Sequence, residues 1–458
     1  MKKGRTLLII SVLFIIVGSI SADASALRET VANQPWTIET IDDDEPGVMN
    51  LSTAFGGKFQ IPMFSYYRTD TNALALVHKA TNAAPGNIGP DSSWLRVGIP
   101  ITTHNPIGSA ISNLATFLYG PDTFGVKWVY GTTGGQLRGM TYEFQNDMTY
   151  VGHSTEVLVD LGKFGETLIG APSLQADGRW FRIAFTILDS SNDIKLIYVQ
   201  KTGELNNSCL ISGTSYYQCD VIDMSIMWIG QPSLQITPGG KVGIAYEKFG
   251  IIKYAYPHDH TMLFPSNCGP GDPKTWRCTT IYDGAHVGSN VQLAFGQTEG
   301  RAIVFRKNDT LVVAQYVGSG GNCGEDGLIG NLKKQWNCKF LQDFINNPEP
   351  SYSIAVDPRG YPVVAYDNAP SAIGPRNLYL AFQPGYVGSE PADYWNSMFI
   401  DHAPRLDVNN GEQAAIAFNK AGFGLIAYRQ DDGYYDTDPL KIAWQQPIFT
   451  TYLPIIID

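Results

Sequence analysis

Short apolar runs rich in Val, Ile, Leu and aromatic residues alternate along this chain with turns marked by Gly, Pro, Asn and Asp. The runs are too short and too often interrupted for helices, and they predict β-strands. Pro172-Ser173-Leu174, Pro232-Ser233-Leu234 and Pro350-Ser351-Tyr352 each open such a strand. A turn follows, ending in Gly178, Gly240, Gly300, Gly360 or Gly422, at separations of 62, 60, 60 and 62 residues. A second strand then ends in an aromatic residue: Tyr66, Tyr130, Phe185, Tyr246, Phe305, Tyr366 and Tyr428, at steps of 64, 55, 61, 59, 61 and 62. A third strand comes next in every unit, and the fourth often begins with an aromatic, as at Trp94, Tyr217, Trp276, Trp336 and Trp395.

Four short strands recurring seven times predict an all-β, seven-bladed β-propeller of four-stranded antiparallel blades. A large β-sandwich would not space its aromatics so evenly. Trp36–Asp42 matches the fourth-strand pattern of Trp395–Asp401 but precedes the first unit's own first strand. It is therefore expected to complete the last blade, hiding two open sheet edges. The apolar tail Tyr452–Ile457 is expected to dock near that closure, a sorting role being the alternative. The second unit departs most, because Leu114–Thr167 lacks the leading Pro-Ser and a fourth-strand Trp.

Composition sharpens this picture at three places. Lys2, Lys3 and Arg5 before the apolar run Leu7–Ile20, then small residues to Ala26, read as a secretory signal over residues 1–24. The run is short of the ~20 residues that a spanning helix needs. The remainder, 25–458, is expected to form one domain, secreted, extracellular or periplasmic, and monomeric. Loss of residues 1–24 removes Lys2, Lys3, Arg5 and Asp23 and moves the net charge from −11 to −13. Such acidity argues against attraction to nucleic acid or anionic membranes. The six cysteines all lie between 209 and 338. An even number in an exported chain points to disulfides. The repeat selects Cys209–Cys219, Cys268–Cys278 and Cys323–Cys338, each joining the loop before a fourth strand to that strand's start. Zinc is the alternative, but no CxxC spacing occurs.

Units reading Pro-Ser-Leu, then Asp-x-x-Gly, Ala-Tyr, Leu-Lys-Tyr-Ala and a Trp-led strand resemble a family of exported bacterial β-propellers, loosely grouped with sialidase-like propellers. The resemblance is clearest in Pro172–Val199, Pro232–Tyr256, Ser353–Phe382 and Trp36–Tyr67. It implies the fold and little about activity. Sialidase Asp-boxes lie between third and fourth strands, whereas Asp177-Gly178 and Asp357–Gly360 lie between first and second strands and read as hairpin turns. Gln60-Ile61-Pro62 lacks the arginine of a sialidase Arg-Ile-Pro motif.

Candidate chemistry is sparse. His258-Asp259-His260 has no third ligand nearby and reads as a solvated loop rather than a metal site. Asp42-Asp43-Asp44-Glu45 and the Asp431–Asp438 cluster are oxygen-rich enough for calcium but fit no EF-hand register; solvated loops are the simpler reading. No other cofactor or metal is expected. Propeller ligands gather where loops joining second to third strands, and blade to blade, meet at the channel mouth. Arg68, Glu247, Arg306, Asp367 and Arg429 follow second-strand aromatics, and His104, His286, Arg405 and Asp407 lie in blade-to-blade loops. With Tyr434 and Tyr435 in a long loop, they form the expected ligand face. The expected function is binding of an extracellular glycan or protein. A polysaccharide hydrolase or lyase on the same face is the alternative.

Overall fold

The computed structural model describes residues 36–42, 48–79, 94–100, 106–165, 167–258, 266–271, 274–285, 290–296, 300–308, 310–326, 334–343, 351–368, 376–383, 395–401, 409–431 and 439–445. The signal segment, the apolar tail, His286, Arg405 and Tyr434 lie outside them. So do His104, Asp407, Tyr435 and most of the calcium and histidine candidates.

The strands form seven antiparallel sheets. A closing strand, β1 (Trp36–Asp42), comes first in the chain. Blade one is β2 (Val48–Gly56), β3 (Ile61–Arg68), β4 (Ala73–Lys79) and β5 (Trp94–Pro100). Blade two has a split inner strand, β6 (Pro106–Ile111) and β7 (Ala115–Leu118), then β8 (Thr123–Thr132), β9 (Gln136–Gln145) and β10 (Tyr150–Asp160). Blade three is β11 (Thr167–Asp177), β12 (Trp180–Leu188), β13 (Ile194–Asn206) and β14 (Ser215–Ser225). Blade four is β15 (Ser233–Ile236), β16 (Val242–Lys248), β17 (Ile251–Pro257) and β18 (Trp276–Asp283). Blade five is β19 (Gln292–Phe295), β20 (Arg301–Lys307), β21 (Thr310–Asp326) and β22 (Lys334–Asp343). Blade six is β23 (Tyr352–Val356), β24 (Pro362–Asn368), β25 (Asn377–Phe382) and β26 (Asn396–Asp401). Blade seven supplies β27 (Asn409–Phe418), β28 (Gly424–Asp431) and β29 (Leu440–Gln445). β1 completes it, pairing with β29 from Trp36 opposite Gln445 to Asp42 opposite Leu440.

The seven second-strand aromatics are at most 2% exposed, and each sits in a core shared by adjoining blades. Fourth-strand tryptophans lie edge-on against a third-strand aromatic of the preceding blade: Trp276 on Tyr198 at 5.1 Å, Trp336 on Tyr254 at 5.7 Å and Trp94 on Trp444 at 6.3 Å. Burial on both faces explains why so few charges are needed in the strands. Gly178, Gly240, Gly360 and Gly422 all have positive φ in the first hairpins, where a side chain would be strained.

All three disulfides form as the repeat indicates. Each closes a loop worth about 2–3 kcal/mol on chain-entropy grounds. Cys323 differs from expectation in lying inside the long strand β21 rather than in the loop after it. One register also differs. Ser173, Ser233 and Ser353 each face the alanine just before the second-strand aromatic, namely Ala184, Ala245 and Ala365. The counterpart of Pro-Ser-Leu in blade six is therefore Tyr352-Ser353-Ile354, two residues after the Pro350-Ser351-Tyr352 segment. In blade two, Ser112-Asn113-Leu114 takes the place of that motif, the Ser112 N–H donating to the carbonyl of Val129, the residue just before Tyr130. Among the described residues no helix is long and apolar enough to cross a membrane.

Candidate functional site

The inner strands surround a central cavity of about 540 Å³. Their side chains divide it into two sectors. Blades three to five present Gln175, Gln231, Gln235, Asn290 and Gln292, while blades six and seven present mainly Ile354, Val356, Ala415, Ile416 and Phe418. Asn50, Asn113 and Gln413 add amides elsewhere on the wall, and Ser52, Ser173, Ser233, Ser351 and Ser353 add hydroxyls. No carboxylate, imidazole, ammonium or guanidinium is among the described lining residues.

These polar side chains fall into two groups by use. Asn113 engages both ends of its amide, accepting from Leu174 N–H at 2.7 Å and donating to the Leu174 carbonyl at 2.8 Å. Ser52, Ser173 and Ser233 each accept a backbone N–H of the next blade at 2.8–2.9 Å. A hydroxyl used as acceptor keeps its own proton for another partner. The amides of Gln175, Gln231 and Gln235 are engaged in none of these bonds and lie half-buried at the wall. Tyr352, 4% exposed, also lines the cavity, and burial pushes its phenol far above the ordinary range.

The five described residues of the expected ligand face sit elsewhere, and none lines the cavity. Arg68 pairs with Asp70 at 2.8 Å across the β3–β4 turn. Arg306 Nε donates to the Asn308 carbonyl at 2.5 Å across the β20–β21 turn. Glu247 is fully buried and accepts the Gly250 N–H across the β16–β17 turn. Asp367 is 1% exposed, accepting the Ser351 N–H at 2.7 Å, with Arg376 at 3.6 Å. Arg429, half-buried in β28, stands opposite Leu440. In blades four and five, the position after the second-strand aromatic thus ties down the following turn, as Arg68, two positions after Tyr66, does in blade one. Among the described residues, no three His, Cys, Asp or Glu side chains gather as a metal would require.

The cavity residues escape a search for charge. Their one signal is an amide recurring at two-residue spacing inside an apolar inner strand, as in Gln231…Ser233…Gln235 and Asn290…Gln292.

No family model matches the chain, and no curated protein matches it by sequence. Several solved structures are weakly similar to it. AofleA from Arthrobotrys oligospora is 9% identical over 81% of this chain and 91% of its own, with a TM-score of 0.43. The hemagglutinin-neuraminidase ectodomain of parainfluenza virus 5 is 7% identical over 97% of this chain and 96% of its own, with a TM-score of 0.34. The core factor of S. cerevisiae is 8% identical over 92% of this chain and 63% of its own, with a TM-score of 0.39.

Proposed function

We propose that the protein is a secreted binding module whose central cavity takes an uncharged, hydroxyl-rich ligand, a neutral glycan. The observation that carries this reading is the cavity wall. One sector offers amides that both donate and accept, those of Gln175, Gln231 and Gln235 without a partner among the described residues, the other an apolar surface for the C–H face of a sugar ring, and no charged group stands between them. Hydrolysis of a glycosidic bond needs two carboxylates about 5–10 Å apart, and the described wall offers neither. Three disulfides fit an oxidising compartment, as the signal segment would require. Arg68, Arg306 and Arg429 are the side chains that, on this reading, would touch whatever part of the ligand protrudes.

A glycan array on the chain without residues 1–24 should score neutral oligosaccharides above acidic ones. Gln175→Ala and Gln235→Ala should each weaken the best hit about five- to thirtyfold, the worth of one or two hydrogen bonds. Release of new reducing ends, abolished by the same substitutions, would replace binding with catalysis. Binding confined to acidic glycans and lost in Arg68→Ala would move the site from the cavity to the rim.

A further inference from the structure

An inner propeller strand is paired on one side only, and alternate residues turn their N–H toward the channel. At one level of the ring the preceding blade covers that N–H with a side chain. Ser52 covers Leu114 at 2.9 Å, Asn113 covers Leu174 at 2.7 Å, and Ser173 covers Leu234 at 2.8 Å. Ser233 covers Leu293 at 2.9 Å, and Ser353 covers Ile416 at 3.4 Å. The series then lapses twice. In blade five the capping position holds Gln292, whose amide donates to Asn290 at 2.9 Å instead. In blade seven it holds Ala415, which has no polar atom. Among the described residues, no side chain covers the corresponding N–H of Ile354 or of Thr53.

Both uncovered groups lie at the cavity wall, in the two blades that flank blade seven. Beside them the Thr53 hydroxyl and the Gln413 Oε1 are buried with no hydrogen-bond partner among the described residues. Gln413 is held in place, its Nε2 donating to the Val48 carbonyl at 3.1 Å. Its backbone has φ of 53°, a left-handed conformation that a glutamine adopts only under constraint. Buried polar groups without partners are rare and costly, and two of them belong to the inner strands of blades one and seven, where the capping series stops.

We infer that these two uncovered N–H groups, on either side of blade seven, are the anchoring points of the ligand. The Thr53 and Ile354 N–H groups donate to ligand oxygens, while the Thr53 hydroxyl and Gln413 carbonyl engage ligand hydroxyls. The inference rests on the reading of the cavity as a neutral-glycan site.

Ala415→Ser places a hydroxyl in the register that Ser353 holds one blade earlier, where it would cover the Thr53 N–H. Amide hydrogen exchange by NMR should show Thr53 and Ile354 exchanging at least about tenfold faster than Leu174 and Leu234, the factor set by one hydrogen bond. Ala415→Ser should slow Thr53 alone. The same variant should weaken the best neutral oligosaccharide about tenfold. Equal, slow exchange at all four amides in the unmodified protein would overturn the gaps in capping whatever the ligand. Binding untouched by Ala415→Ser would overturn anchoring while leaving the glycan reading intact. Should no neutral sugar bind, the glycan reading fails, and titration with N-methylacetamide decides the anchoring alone. Selective shifts of the Thr53 and Ile354 resonances would support it, and their absence would end it.

Discussion

Lys127 has no exposed surface, and its ammonium lies 4.6 Å from the Phe117 ring and 4.0 Å from that of Phe181. It donates to the Arg179 carbonyl. Burial pushes its pKa down to about 7, against the opposing pull of Glu156, Asp177 and Glu143. The folded protein therefore gives up this proton near pH 7, whereas the unfolded chain keeps it until near pH 10.5. Between those limits the unfolded state binds more protons, so stability rises with pH; below pH 7 the whole penalty, on the order of 5 kcal/mol, is present. Lys127→Met should raise the urea midpoint at pH 6, with the gain shrinking toward pH 10. A gain independent of pH would show that the lysine is not the cause. Two tyrosines act differently. Tyr246 donates to Asp223 at 2.7 Å and Tyr428 to Asp401 at 2.6 Å, each aspartate belonging to the preceding blade and also bound by lysine. Tyr246→Phe should cost about 1–3 kcal/mol in denaturant melts, because it leaves a largely buried carboxylate one partner short.

Closure depends on the short strand β1. Glu39 within it accepts from Trp444 of blade seven at 2.5 Å, and from Trp94 of blade one at 3.1 Å. It also pairs with Lys79 at 3.2 Å, an ammonium 1% exposed and caged by the Trp94 and Trp444 rings. Glu39→Ala strips that buried cation of its carboxylate and should cost about 2–4 kcal/mol. Lys79→Met in the same background should recover part of the loss, and a double-mutant cycle measures the coupling. Simple additivity would mean the pair does not act as a latch. The strands themselves were legible because their pattern is dictated by burial: aromatics such as Tyr246 recur wherever a second strand enters the core. Closure was legible in Trp36–Asp42 for the same reason. The blade-six register was not, because Pro350-Ser351 imitates the motif while the serine opposite the alanine before the aromatic is Ser353, and Ser351 too caps an N–H of the next blade, that of Ala414 at 2.9 Å. The cavity was not legible either. Gln175 and Gln235 carry no charge and sit in strands that otherwise read as core, so only the channel-facing edge of those strands gives them meaning.

At the scale of the whole ring, β1 is the piece that makes the edges disappear. A chain starting after Asp42 would expose β29, whose Leu440–Trp444 stretch is apolar, and would remove Glu39 as well. Light scattering should show it associating, with a lower melting temperature, since an open apolar edge recruits strands from other molecules. A monomer with an unchanged melt would mean that the cores between blades suffice without closure. The caps on the inner strands carry a further consequence. Every cap reaches forward, from one blade to the next, so a capped unit arrives with the plug for its successor and depends on its predecessor for its own. A gene segment of about sixty codons, duplicated in tandem within the run of blades two to four, would meet a matching plug on both sides. The ring can thus lengthen or shorten by whole units there with little refitting. At blades five and seven, where Gln292 and Ala415 offer no plug, the same exchange would erase or multiply an irregular place, and selection for a ligand would act on it.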